Sequence, residues 1–427
     1  MPDVVFGVDQ SKPFAEQELV GHNRWHPDIP AVATVRPGDT FRVESKEWFD
    51  GTIVNTDDAD DVRDADTSIV HQLSGPFAVE GAEPGDLLIV DVLDVGPVPQ
   101  ETKRSGARPS SQQTGPVAGQ GWGYTGLFAK SNGGGFLTDW FPDAYKAIWD
   151  FQGLTATSRH IPGVSFTGIV HPGLMGTAPS ASLLQTWNAR EKALVDTDPD
   201  RTPPLALLPN PTNAVLGSLS GDAFDAAAAE GARTAPPRDN GGNQDIKNLS
   251  VGSRIFYPVF VDGANLSLGD LHFSQGDGEI TFCGAIEMGG YIDLHVDLIK
   301  GGMQTYGVTT NPIFMPGRTE PRYSEFLTFV GFSVDADGRQ HYLDTTLAYQ
   351  NACLNAIEYF SKFGWTKEQV YLMLGAAPVE GRMSGVVDIP NSCATLYVPT
   401  GIFDVDVRPS ASGPTVQSRG QCATSSG

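Results

Sequence analysis

Four cysteines in 427 residues (Cys283, Cys353, Cys393 and Cys422) are too few and too widely spaced for a disulfide framework, and without CxxC spacing they exclude a zinc ribbon. They read as reduced thiols. Basic residues are also scarce: 28 lysines and arginines stand against 51 acidic residues, a formal net charge of -23. A balance of that sign repels phosphate backbones and anionic lipid surfaces, so no nucleic acid is expected as a partner. No stretch approaches the roughly 18 apolar residues of a membrane span. The opening run, Met1 to Gln10, has neither a basic n-region nor an apolar h-region. Cytoplasmic residence without a membrane partner is the expectation. The common hydrolase signatures are missing too, with no G-x-S-x-G elbow, no Gly-Gly-Ser-Ser run and no HExxH.

What is there is a globular composition, 40% hydrophobic and 19% charged, in a chain longer than one compact core usually runs. Residues 1–104 read as an N-terminal β module, with Pro37-Gly38-Asp39 and Pro84-Gly85-Asp86 suited to type II turns. Residues 105–250 read as Gly/Pro-rich loops, a long one over 105–120, with short helices at Pro142–Phe151 and Ser182–Val195. A second β module spans 251–340, and 341–427 carries helices and a tail. The clearest helix runs from Thr345 to Lys362, with Asp344 as N-cap and Gly364 as stop. Another opens at Thr366, with Gln369 completing a capping box. After Arg408 the tail is rich in Ser, Gly, Pro and Gln, and order there is expected only where a neighbouring subunit supplies it. Pro76 to Ala82 echoes Pro258 to Ala264, which suggests that the two β modules are related. The fold class is α+β and β-rich: two related β modules of sandwich- or barrel-like sheets with covering helices, forming one composite catalytic unit.

Several suggestive motifs have blander readings. Gly121-Trp122-Gly123-Tyr124-Thr125-Gly126 satisfies GxGxxG but follows a polar loop rather than a buried strand. His22 and His26 have zinc-helix spacing, yet Pro27 and Pro30 oppose a helix, so structural histidines are favoured. The acidic run Asp57 to Asp66 lacks the Gly and terminal Glu of a calcium loop. Asp293, His295 and Asp297 alternate with aliphatic residues as on a half-exposed strand.

The densest polar cluster runs from Gly269 to Glu279. Asp270 and His272, two apart on an extended strand, leave the same face and can reach one cation. Gly276 and Gly278 permit a reversal that brings Glu279 back towards them. From there Glu279, Thr281, Cys283, Ala285 and Glu287 share a face, unusually rich in carboxylate for a sheet interior. A metal site and a charged surface hairpin fit this pattern equally. Cys283 lies inside the cluster and is a candidate nucleophile.

Seven separated motifs, in order, resemble the acetamidase/formamidase family almost end to end. They are carried by His22-Asn23-Arg24-Trp25, Glu47-Trp48-Phe49-Asp50-Gly51 and His71-Gln72-Leu73-Ser74-Gly75-Pro76. Glu80 to Asp86, His171-Pro172-Gly173, Gly241 to Asp245 and above all Gly269 to Glu279 continue the series. The resemblance implies a β-rich homo-oligomer that hydrolyses formamide, acetamide and related small amides to a carboxylate and ammonia at a divalent metal centre, zinc. On that footing His71, Asp270 and His272 are expected as metal ligands, with Asp50 as a further one. Glu279 is expected as general base and acid, and Asp245 as a residue facing substrate. Two rivals remain open: an amidase using the Cys283 thiolate, and a non-enzymatic β scaffold stabilised by calcium. The assembly is expected to be a trimer or a hexamer. Trp25, Trp48, Phe49 and Phe273 are candidates to crowd the acyl side. The expected preference falls from formamide or acetamide to propionamide to butyramide, with peptides and arylamides inert.

Overall fold

Strand-forming residues dominate the computed structural model, which describes residues 2–98, 117–318 and 320–426. Most of the 105–120 loop expected from the sequence lies outside the described residues. Two sheets carry the fold, one of six strands and one of twelve. In the smaller, Leu87–Pro97 pairs antiparallel with Gly290–Ile299 along its whole length. Alternation sends Leu88, Val90 and Val92 into the core, whereas Asp91 faces outward and binds Arg254. In the larger sheet Leu266–Gln275 is buried at every position. Leu271 and Phe273 pack in the hydrophobic core while the intervening Asp270 and His272 leave the opposite face.

The two echoing segments meet. Val79 and Gly85 donate their amides to Gly263 O and Val259 O, and Gly263 and Val259 return the bonds to Ala82 O and Asp86 O. The β-rich segments therefore interleave rather than stand side by side, and each contributes strands to both sheets.

Helices cover this frame. Ala181–Val195 and Thr345–Ser361 are capped by Ser180 and Asp344, and Thr366 and Gln369 form the expected capping box ahead of Lys367–Ala376. The helix expected over Pro142–Phe151 is instead the strand Tyr145–Gln152, paired on one side with Trp122–Leu127 and on the other with Thr155–Ser158. Buried Ile148 and Trp149 favour a pleated surface, and pairing on both edges outweighs the helical signal from Pro142. The GxGxxG run lies mostly within that partner strand, all of which is buried.

The C-terminal tail also departs from expectation, because its own chain holds it. Ala423–Thr424 pairs with Tyr145–Gln152, and buried Arg419 binds Asp404. Ser426 donates to Asp60. Among the described residues no helix is long and apolar enough to cross a membrane.

Candidate active site

The strand Leu266–Gln275, the turn after it and the returning strand Phe282–Met288 bring one imidazole and three carboxylates together, and the loop after the strand Gly241–Asn243 adds a fourth, Asp245. Asp270, His272 and Glu287 each offer a ligand atom, all within 4.8 Å of one another, and Asp245, His272 and Glu279 form a second such group. His272 Nε2 stands 3.4 Å from Asp270 Oδ1 and 3.3 Å from Glu287 Oε2. All three atoms are buried without a well-aligned hydrogen bond.

That arrangement is costly as it stands. Burial alone would keep the His272 ring neutral, yet Glu287 and Asp270 draw a proton to it and raise its pKa well above the ordinary range. Burial pushes Glu287 up to about 8 despite His272. Asp270, although buried, is held below the usual carboxylate range by His272 and His71. Burial pushes Glu279 up to about 8, and it pushes Asp245 well above its ordinary value with help from Glu279 and Asp270. Both of these half-buried carboxyls line the cavity beside the cluster.

The backbone is bent to achieve this. Asp245, Asp270 and Glu279 all sit in the left-handed region, at φ 47°, 54° and 46°. Non-glycine residues rarely adopt it, and such strain concentrates at functional sites. Gly173 answers the crowding: a Cβ there would lie 2.5 Å from His272 Cε1, 2.7 Å from Asp245 Oδ1 and 2.9 Å from Asp270 Oδ2. Its carbonyl accepts from the Gln244 and Asp245 amides at 3.1 and 3.0 Å, which fixes the loop that presents Asp245.

A second layer orients the rings. His272 Nδ1 lies 3.0 Å from Gln275 Oε1 and 3.3 Å from His171 Nε2. A proton on Nδ1 satisfies either acceptor, and Nε2 is thereby turned towards Asp270 and Glu287. His71 sits on the far side of Asp270, with Nε2 3.9 Å from Oδ2. Thr234 Oγ1 accepts from its amide at 2.6 Å and lies 3.0 Å from Nδ1, while Trp48 stacks on the ring at 4.8 Å between centroids. Burial lowers the His71 pKa to about 4, so this ring is neutral.

The donor set fits a divalent cation. Ligands about 2.0 to 2.2 Å from a tetrahedral zinc lie roughly 3.3 to 3.6 Å apart, close to the spacing of Asp270, His272 and Glu287. Three buried atoms of the right chemistry without an aligned partner meet there, and the carboxylates of Asp270 and Glu287 that raise the His272 pKa present the negative charge a cation would neutralise.

Of the residues singled out from the sequence, Asp270, His272, Glu279, Asp245 and His71 converge. Asp50 does not: its carboxylate pairs with Lys46 and accepts from the Phe14 amide at 3.0 Å, on the other side of the Glu47 turn. Glu287 takes its place, a residue noted on the carboxylate-rich face but not assigned a role. Trp48 lines the cavity, joined by Phe136 and Phe282. Phe49 is buried behind it, Trp25 packs on Leu184 and Trp187, and Phe273 stacks on Phe151 at 4.0 Å. These three therefore do not crowd an acyl group. Cys283 is fully buried, and burial together with Glu287 and Glu47 pushes its thiol well up, the reverse of what a thiolate nucleophile needs. Asp57 and Asp61 of the acidic run pair with Arg159 and Lys146.

A buried histidine and carboxylate cluster in a β-rich frame defines a class, and residues 7–405 match the Acetamidase/Formamidase family. The chain belongs to that family of amide hydrolases. It is 67% identical over 382 residues to an acetamidase of Mycolicibacterium smegmatis, covering 89% of this chain and 91% of the other. It is 58% identical to a formamidase of Methylophilus methylotrophus, with 96% of each chain covered. Among solved structures, a gamma lactamase from Delftia acidovorans superposes with a TM-score of 0.93 at 53% identity and 99% coverage of both chains.

Proposed function

We propose that this protein hydrolyses short aliphatic amides, formamide and acetamide foremost, to a carboxylate and ammonia, with water activated at the Asp270, His272 and Glu287 cluster. The observation that supports it most is the set of three converging buried atoms without a well-aligned hydrogen bond. Asp270, His272 and Glu287 would hold a divalent cation, zinc in this reading, with His71 as a further donor beside Asp270. Such a cation supplies Lewis acidity and makes water nucleophilic near neutral pH.

The chain's own groups do the rest. Glu279 and Asp245 lie side by side, and their raised pKa values let the pair keep a proton near neutrality. As a base, Glu279 takes a proton from the attacking water. As an acid it delivers that proton to the departing nitrogen while the carbonyl carbon keeps the new oxygen, so the C–N bond breaks and ammonia leaves. Trp48, Phe136 and Phe282 give the cavity an apolar wall beside the carboxyl groups.

Assembly as a homo-oligomer, a trimer or a hexamer, and residence in the cytoplasm complete the reading. The test is ammonia release from a panel of amides with metal content measured on the same preparation. Turnover of formamide and acetamide, lost on chelation and restored by zinc, is the expected result. Full activity in metal-free protein would remove the cation, and efficient cleavage of a dipeptide would remove the small-amide assignment.

A further inference from the structure

The catalytic cavity, of about 330 Å³, has a neighbour of about 350 Å³, and Phe136 and Gly278 line both. Gly278 has no side chain, so Phe136 supplies the one side chain that both linings share. The backbone that carries it is pinned. The Phe136 amide donates to Ile280 O at 2.9 Å, and its carbonyl accepts from Gln350 Nε2 at 3.1 Å. The ring lies 5.8 Å from that of Tyr349, whose hydroxyl donates to Asp277 O at 2.7 Å. The glycines before it leave no slack for a bulkier backbone, since a Cβ on Gly135 would meet Tyr371 Oη at 2.6 Å. The position of Phe136 between the two cavities is thus set by its backbone. Beyond it, Tyr349, Met383 and Ala394 give the outer cavity an apolar wall, and Thr346 lines the same space from the first turn of its helix.

We propose that Phe136 sets the upper size limit of the amide, and that the outer cavity is a latent subsite for the hydrocarbon arm of a longer one. Amide hydrolysis at the cluster is presupposed. A small amide fits within the inner cavity. A longer arm directed into the outer cavity, whether the acyl chain or a substituent on nitrogen, must pass where the ring now stands. An apolar pocket discriminates a single methylene by only about 10- to 200-fold, so a strict cutoff needs a wall of this kind.

The test measures kcat/KM for acetamide, hexanamide and N-butylacetamide. Phe136→Ala should raise the ratio of at least one long amide to acetamide by about tenfold or more, and the one that rises tells which end of the amide faces the outer cavity. Phe136→Leu, which keeps an apolar side chain there, should move the same ratio less. Adding Thr346→Trp to Phe136→Ala should fill the outer space and return the ratio towards that of the unaltered protein. Unchanged ratios in a Phe136→Ala protein that still turns over acetamide would overturn the proposal. So would a uniform gain on all three substrates, which marks an entrance gate, or a raised ratio that Thr346→Trp leaves in place. No acetamide turnover in the unaltered protein would instead remove the amide reading beneath it.

Discussion

Two kinds of buried charge coexist in this protein. Lys146 and Asp61 show one: Nζ lies 2.8 Å from Oδ2, the side chains are 0% and 8% exposed, and Val54 O and Thr56 Oγ1 also accept from Nζ. Arg42 with Asp293, and Arg238 with Glu191, repeat the pattern. Each is one cation against one anion with its hydrogen bonds made, the condition under which buried charge is tolerated. The catalytic cluster is the other kind. Asp245, Asp270, Glu279 and Glu287 surround His272, while neighbouring His71 is held neutral. The closed pairs satisfy their charge within the chain, whereas the open cluster leaves several buried polar atoms without an aligned partner.

The largest expected effect is at the open cluster. Glu279→Gln keeps the size of the side chain but removes its ability to accept and return a proton, so turnover of acetamide should fall by about 10²- to 10⁴-fold. Metal content should not change, because Asp270, His272 and Glu287 are untouched. Elemental analysis beside a steady-state ammonia assay checks both halves. A variant with nearly full turnover would end the assignment, and one that loses its metal would make Glu279 a ligand.

At a closed pair the loss should be in stability. Lys146→Met leaves Asp61 buried without its partner, and breaking such a pair costs about 3–5 kcal/mol. Chemical denaturation should register that drop, whereas metal content per folded chain should stay unchanged. Adding Asp61→Leu should recover much of it, because the pair as a unit contributes little beyond an apolar replacement. A Lys146→Met protein as stable as the original would show that this pair is not closed in the sense drawn above.

Much of the cluster was legible because side chains two apart on a strand tend to share a face, which placed Asp270 beside His272, and because Gly276 and Gly278 permit a reversal; the left-handed backbone at Asp270 was not legible from that pattern. Glu287 was visible on the returning strand, but its role depends on a register that only the pairing His272↔Glu287 sets. Asp50 misled because it adjoins Trp48, which does reach the cavity; the turn organised by Glu47, whose carboxylate accepts from the Phe49 and Gly51 amides, points Asp50 elsewhere. The helices with caps were read well, since a cap is a local device. The strand Tyr145–Gln152 and the held C-terminal tail were not, because each is decided by partners far away in sequence.

The smallest expected effect separates the remaining chemical alternative. Cys283 lies between the two kinds of environment: in sequence it belongs to the carboxylate-rich strand, but its side chain packs among Val62, Phe128 and Ile148 and does not line the catalytic cavity. A nucleophilic cysteine needs a positive neighbour and access to substrate. Here the neighbouring charges are Glu287, Glu47 and Glu279, all of a sign that disfavours the thiolate. Cys283→Ala should therefore leave kcat/KM for acetamide within about twofold and cost only about 1 kcal/mol of stability from the lost packing. Thiol alkylation of the folded protein should likewise spare activity. If the alanine variant were inactive while still binding its metal and unfolding at a comparable denaturant concentration, the acyl-enzyme route would be restored, and the open cluster would have to be read as support for a nucleophile rather than as the seat of an activated water.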